Sequence, residues 1–231
     1  MPRSSGARGI CIRMNIVRLD VPGRRGPIHS LSKGTTVSSP VIDRTAPTEH
    51  PLLDVLAGRW SPRAFNAHAP IDESKLAAAL EAARWAPSAN NTQPWRFIVA
   101  RRGTALHAQI VDALVGFNRQ WAGNAAVLIV AVAETATEDG SPIRFASYDL
   151  GQAVAHFSVQ AHHDGLHVHQ MGGFDPEIVR ELANLEPRFS AITVIAVGEF
   201  GDVETLPEVL QQREIAPRTR RPLPESVILS A

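Results

Sequence analysis

Nine consecutive residues, Ala125-Ala126-Val127-Leu128-Ile129-Val130-Ala131-Val132-Ala133, carry no charge and no side-chain polar atom. A strand with one face in water alternates apolar and polar positions, whereas an uncharged run without alternation belongs to a buried strand. The run is far shorter than the roughly 20 apolar residues that cross a bilayer, so a soluble protein with no membrane partner is expected. A second uncharged strand is predicted over 191–198, and shorter strands over 95–100 and 166–171.

Helices are predicted between these strands. The largest spans 143–163, where Ala146, Leu150, Ala153, Val154, Phe157 and Ala161 fall within about 100° of arc and Gly165 closes the element. Asp72 is a suitable N-cap for a helix over 73–85, and Asp175 for one ending near 184. Shorter helices are expected over 51–58 and 103–115. Beyond Gly201 the chain turns polar, and Pro207, Pro217, Pro222 and Pro224 favour an extended path, either disordered or laid across another surface.

Of 231 residues 44% are hydrophobic, enough to bury one sizeable core, so one α/β domain with tails is expected. Residues 1–48 mix Gly, Pro, Ser and Arg without sustained periodicity and are expected to form a disordered extension, with Met14 as an alternative start. The domain proper is then 49–231. Twenty-three basic residues balance twenty-three acidic ones, which removes the usual electrostatic argument for a nucleic-acid partner. A single cysteine, Cys11, fits a reducing, cytoplasmic compartment.

The arginines must therefore be read locally. Arg59, Ser61 and Arg63 alternate, so in extended backbone they share one face and can offer two guanidinium forks and a hydroxyl to a phosphate. Arg218 and Arg220 form a second alternating pair. Taken alone, the first motif reads more readily as ordinary surface salt bridging and the arginines of the tail as merely solvated. The loop Pro87-Ser88-Ala89-Asn90-Asn91-Thr92-Gln93-Pro94 is flanked by Trp85 and Trp95, and its Asn91 and Gln93 amides suit the mixed donor and acceptor edge of a heterocycle. Gly172-Gly173, between a short strand and a capped helix, would admit close backbone approach to a planar ligand or merely form a turn.

Five histidines lie between His156 and His169. His156 and His163 are about 10 Å apart along a helix axis, too far to share an ion, and no His-Glu-x-x-His or cysteine pair accompanies them, so no metal site is predicted. Gly-x-Gly-x-x-Gly, Walker and Gly-x-Ser-x-Gly signatures are all missing, which gives no support to Rossmann, P-loop or Ser-His-Asp chemistry.

Taken in order, Arg59-x-Ser61-x-Arg63-x-Phe65, then Ala82-Ala83-Arg84-Trp85-Ala86-Pro87-Ser88-x-x-Asn91-x-Gln93-Pro94-Trp95, then Asp149-x-Gly151, Gly165-Leu166, Gly172-Gly173-Phe174-Asp175 and Arg218-x-Arg220, the chain resembles the FMN-dependent nitroreductase family. The resemblance runs from about residue 51 to 223. It implies an α+β fold with a central mixed sheet packed by helices, and a homodimer with an extended C-terminal arm and FMN at the subunit interface. By position, Arg59, Ser61, Arg63, Arg218 and Arg220 would hold the FMN phosphate and ribityl chain or reach the pyrimidine edge. Pro87, Ser88 and Asn91 would meet the flavin from the other subunit, and Met171, Gly172 and Gly173 would lie along the isoalloxazine. Relatives often carry an asparagine and a lysine before the second buried strand; here Asn118 and Gln120 are the nearest counterparts and the lysine is missing. Phe117, Asn118 and Trp121 would line the substrate side.

The resemblance implies two half-reactions, hydride from NADH or NADPH to flavin N5 and then electrons to a nitroaromatic, quinone or similar small electron-poor acceptor, with no catalytic side chain. A flavin-binding or flavin-remodelling protein without ordinary NAD(P)H turnover is the alternative.

Overall fold

The computed structural model describes residues 43–230, and the fold is built from six α-helices and four strands within them, with short 3-10 turns between. In chain order these are α1 (Asp54–Gly58), α2 (Glu73–Arg84), β1 (Trp95–Arg101), α3 (Ala105–Ala113), β2 (Val127–Glu134), α4 (Ala146–His163), β3 (His167–Met171), α5 (Pro176–Leu182), β4 (Phe189–Gly198) and α6 (Glu208–Ile215). The calls on Cys11, Met14 and most of the 1–48 extension lie outside the described residues. Residues 43–48, expected to belong to that extension, are instead tied to the domain: the Ala46 N–H donates to Ala57 O and Arg44 Nη1 to Ala216 O.

The strands pair in the order β1-β2-β4-β3. Every pairing is antiparallel, so the sheet expected to be mixed is antiparallel throughout among the described residues. The uncharged run is the middle of this sheet, and the reason it lacks alternation is now visible. Val127, Ile129, Ala131 and Ala133 enter one core with α2 and α4, while Leu128, Val130 and Val132 enter a second with α3, α5 and Leu210. β4 divides in the same way, Ile195 and Val197 to the first core and Val194 and Ala196 to the second. Burial on both faces removes any need for polar positions.

Caps bound the helices where the sequence places them. Asp72 accepts from the Ser74 and Lys75 N–H groups, and Asp175 from those of Glu177 and Ile178. α4 begins at Ala146, three residues after the predicted start at 143 and where its apolar stripe begins; Ile143 lies in the preceding turn, its N–H donating to Thr135 O. α6 was missed by the sequence reading, which expected an extended or disordered tail. It carries only two inward positions, Leu210 and Glu214, one turn apart and both fully buried. No described helix is long and apolar enough to cross a membrane.

Candidate functional site

The segment that follows α1 runs extended from Arg59, and one cavity of about 200 Å³ opens over it. Its walls bring together all five predicted residues of the two arginine motifs, Arg59, Ser61, Arg63, Arg218 and Arg220, and add Arg44, Trp60 and Arg213. Six guanidinium groups around so small a space repel one another. Burial and then Arg220 push the Arg59 pKa down, and burial and then Arg59, Arg220 and Arg44 do the same to Arg218. Arginine stays charged under such pressure, so an anion placed among these groups would relieve their repulsion.

The six cations are not equivalent. Arg218 reaches inward, donating from Nη1 to the carbonyls of Arg44 and Ala57 (2.7 Å for Ala57) and from Nη2 to Arg59 O at 2.9 Å. Arg63 faces the buried carboxylate of Glu214, 3.4 Å away, and Arg44 lies over the Trp60 ring. Among the described residues Arg59, Arg213 and Arg220 have no carboxylate within salt-bridge distance. Arg220 donates to the neighbouring Thr219 O and Arg213 lies over the Phe117 ring, so among the predicted phosphate ligands it is Arg218, with three backbone carbonyls, and Arg63, with Glu214, that are tied to other parts of the fold. Glu214 escaped the sequence reading, as did Arg44 and Arg213. The only signal for Glu214 was a glutamate one turn after Leu210 in a stretch flanked by prolines.

The loop 87–94 does not line this cavity. Its conformation is nonetheless specific. Asn90, Asn91 and Gln93 all have positive φ, at 53°, 55° and 48°, a region that L residues enter at a cost and asparagine tolerates best. Ser88 Oγ accepts from the Gln93 N–H, closing the loop on itself, and the buried Asp149 of α4 accepts from the Ala89 N–H at 3.0 Å. Pro87, Asn91, Thr92 and Gln93 are left exposed.

The residues expected along the ring system meet those expected on the substrate side. Asn118 Nδ2 donates to Gly173 O at 3.2 Å, and the Val115 N–H donates to the same oxygen at 3.1 Å. A Cβ on Gly173 would sit 2.7 Å from Asn118 Nδ2, so a larger residue there would have to displace the Asn118 amide from its bond to Gly173 O, whereas a Cβ on Gly172 would meet nothing within 4 Å. Phe117 is exposed, with the Arg213 guanidinium 5.2 Å from its ring centroid, which joins this edge to the arginine cavity. Gln120 is exposed and Met171 is buried at the end of β3.

Trp121 corrects an expectation. It is 1% exposed, stacked on Phe65 and 4.6 Å between centroids from His169, so it belongs to the core beneath the cavity and does not line an open substrate face. His169 Nδ1 lies 2.9 Å from Pro62 O, and burial pushes its pKa down to about 4. The neutral ring therefore pins β3 to the arginine segment. His167, on the same strand face, packs against Trp60, Phe200 and His162, and burial lowers it to about 4 as well. Among the described residues no three His, Cys, Asp or Glu side chains gather as a metal centre.

Comparison with known proteins places this geometry in context. The model of the nitroreductase family matches residues 56–119 and 114–199. An oxidoreductase containing FMN, of known crystal structure, is 34% identical, with a TM-score of 0.75 over 79% of this chain and 93% of that one. The "uncharacterized 15.4 kDa protein in ask 5′ region" of Mycolicibacterium smegmatis is 34% identical over 133 residues, 54% of this chain and 88% of its own length. A nitroreductase family protein from Clostridium difficile shares the fold, with a TM-score of 0.59 at 24% identity over 77% of this chain and 96% of that one.

Proposed function

Since the chain belongs to the nitroreductase family, we propose that it is an FMN-dependent oxidoreductase that takes reducing equivalents from NADH or NADPH and passes them to a small electron-poor acceptor, a nitroaromatic or quinone. The observation that carries this reading is the cavity of six arginines, of which only Arg63 has a carboxylate partner among the described residues, on the segment that the family motif occupies. Binding of FMN by the 34% identical oxidoreductase supports the choice of flavin.

In this reading Arg59, Arg213 and Arg220 hold the phosphate, and the Ser61 hydroxyl hydrogen-bonds beside it. Bound FMN supplies hydride and electron transfer at its ring system. The chain's own part is placement. Met171, Gly172 and Gly173 present backbone to the ring, with the Asn118 amide holding the Gly173 carbonyl and so fixing the direction of the adjacent N–H groups. Pro87, Ser88 and Asn91 of the partner subunit approach the ring from the other side in a cytoplasmic homodimer, which gives the exposed loop an occupant. Phe117, bridged to the phosphate cavity by Arg213, borders the acceptor.

Purified protein supplied with FMN should hold it through gel filtration, show the yellow flavin absorbance, and bleach when mixed anaerobically with NADH or NADPH. Protein that remains colourless with FMN present overturns the reading. Flavin that binds but is not reduced by either nicotinamide indicates a flavin-storing or flavin-remodelling role instead.

A further inference from the structure

Two ionised side chains four residues apart grip the backbone of the arginine segment at its two ends. Upstream, Arg218 donates to Ala57 O and Arg59 O, at 2.7 and 2.9 Å. Downstream, a single oxygen of Glu214, Oε1, accepts from the consecutive N–H groups of Arg63 and Ala64 at 2.6 and 3.0 Å, and its Oε2 lies 3.4 Å from Arg63 Nη1. Glu214 is fully buried. Withdrawing a carboxylate from water is costly, and the two N–H bonds and the Arg63 guanidinium are what offset that cost here. The five residues between the grips, Arg59 to Arg63, contain every predicted phosphate ligand from the N-terminal motif.

We propose that Glu214 and Arg218 are positioning residues: a polar clamp from the C-terminal strip that presets Arg59 and Ser61 for a phosphate monoester and thereby sets the preference of the site for FMN over riboflavin. The inference rests on the FMN reading above. Its chemistry has an internal sign test. Glu214 is an anion beside an anion site, so through charge alone it opposes phosphate, and its removal would tighten binding. Through geometry its removal loosens the segment and weakens binding. Hydrogen bonds to a charged group are worth enough for the second effect to reach about tenfold or more.

The experiment measures dissociation constants for FMN and riboflavin, by fluorescence quenching, on the full chain and on Glu214→Ala, Glu214→Gln and Glu214→Asp. The wild type should prefer FMN strongly; a wild type that binds neither flavin sinks the functional reading, and the clamp with it. Given that preference, Glu214→Ala should weaken FMN about tenfold or more while riboflavin changes less than about threefold. Glu214→Gln keeps the shared acceptor oxygen and should stay within about threefold of wild type for FMN. Glu214→Asp keeps the charge but is shorter by a methylene, and should lose FMN preferentially; it carries the test if the alanine variant does not fold. Tighter FMN binding in both Ala and Gln variants, proportional loss of both flavins, or no change in any variant overturns the proposal.

Discussion

The arginine segment and the 87–94 loop are both short polar connectors, yet they are held in opposite ways. The arginine segment has little internal hydrogen bonding and takes its shape from Glu214 and Arg218, residues about 150 positions away, and from His169 beneath it. The loop is closed from within by Ser88 and by three positive φ angles, with Asp149 as its anchor on α4. A segment that must collect cations needs an outside frame, because like charges would otherwise splay it apart. An exposed loop of amides can store its own shape.

If the two connectors have separate duties, phosphate for one and flavin ring for the other, their variants must separate. The largest effect expected is from Arg59→Ala combined with Arg220→Ala. Removing two charge-assisted contacts should weaken FMN by about a hundredfold or more, with riboflavin nearly unchanged. Titration of both flavins checks this; equal loss of the two would move the phosphate away from this cavity.

Acid should also act on the arginine side first. His169 underpins Pro62, near Arg63, Trp121 and the Ser61 backbone, and His167 sits beside His162, Trp60 and Phe200. Burial lowers both from the ordinary 6.5 to about 4. Between those values the unfolded chain binds protons that the folded one refuses, so stability falls as pH drops from 6.5 towards 4. Each ring contributes up to about 2 kcal/mol of that loss at pH 5. Urea unfolding of the apo protein at pH 7 and pH 5 measures it, and His167→Phe should make the dependence shallower. An unchanged slope in the variant would mean that His167 is not a source of the acid sensitivity.

The contrast also marks what was legible in the sequence. The buried strands could be read because burial on two faces leaves a one-dimensional trace, an uncharged run, and the caps of α2 and α5 because Asp72 and Asp175 act within three residues. Arg59, Ser61, Arg63, Arg218 and Arg220 were recognisable as a motif, and they do share one cavity. Their division into anion-facing and backbone-holding members was not, since it depends on contacts across the whole chain. Glu214 and α6 were invisible for the same reason: two inward positions make no periodic stripe, and nothing local announces that a glutamate is buried. Trp121 was misplaced because a tryptophan in a polar, glycine-containing stretch reads as exposed until Phe65 and His169 are found against it.

The loop itself offers the smallest and most discriminating effect. Asp149 is 2% exposed and its carboxylate accepts the Ala89 N–H, with the Gln152 amide at 3.5 Å. Asp149→Ala leaves that N–H without its partner and frees the start of the loop, which should cost about 1–3 kcal/mol in urea unfolding. Asp149→Asn, which keeps an acceptor oxygen, should recover most of it. Because the loop is assigned to the ring and not the phosphate, Asp149→Ala should weaken FMN and riboflavin by the same factor, unlike any change at Arg59, Arg220 or Glu214. A selective loss of FMN in Asp149→Ala would join the two connectors into one phosphate site and end the division drawn between them.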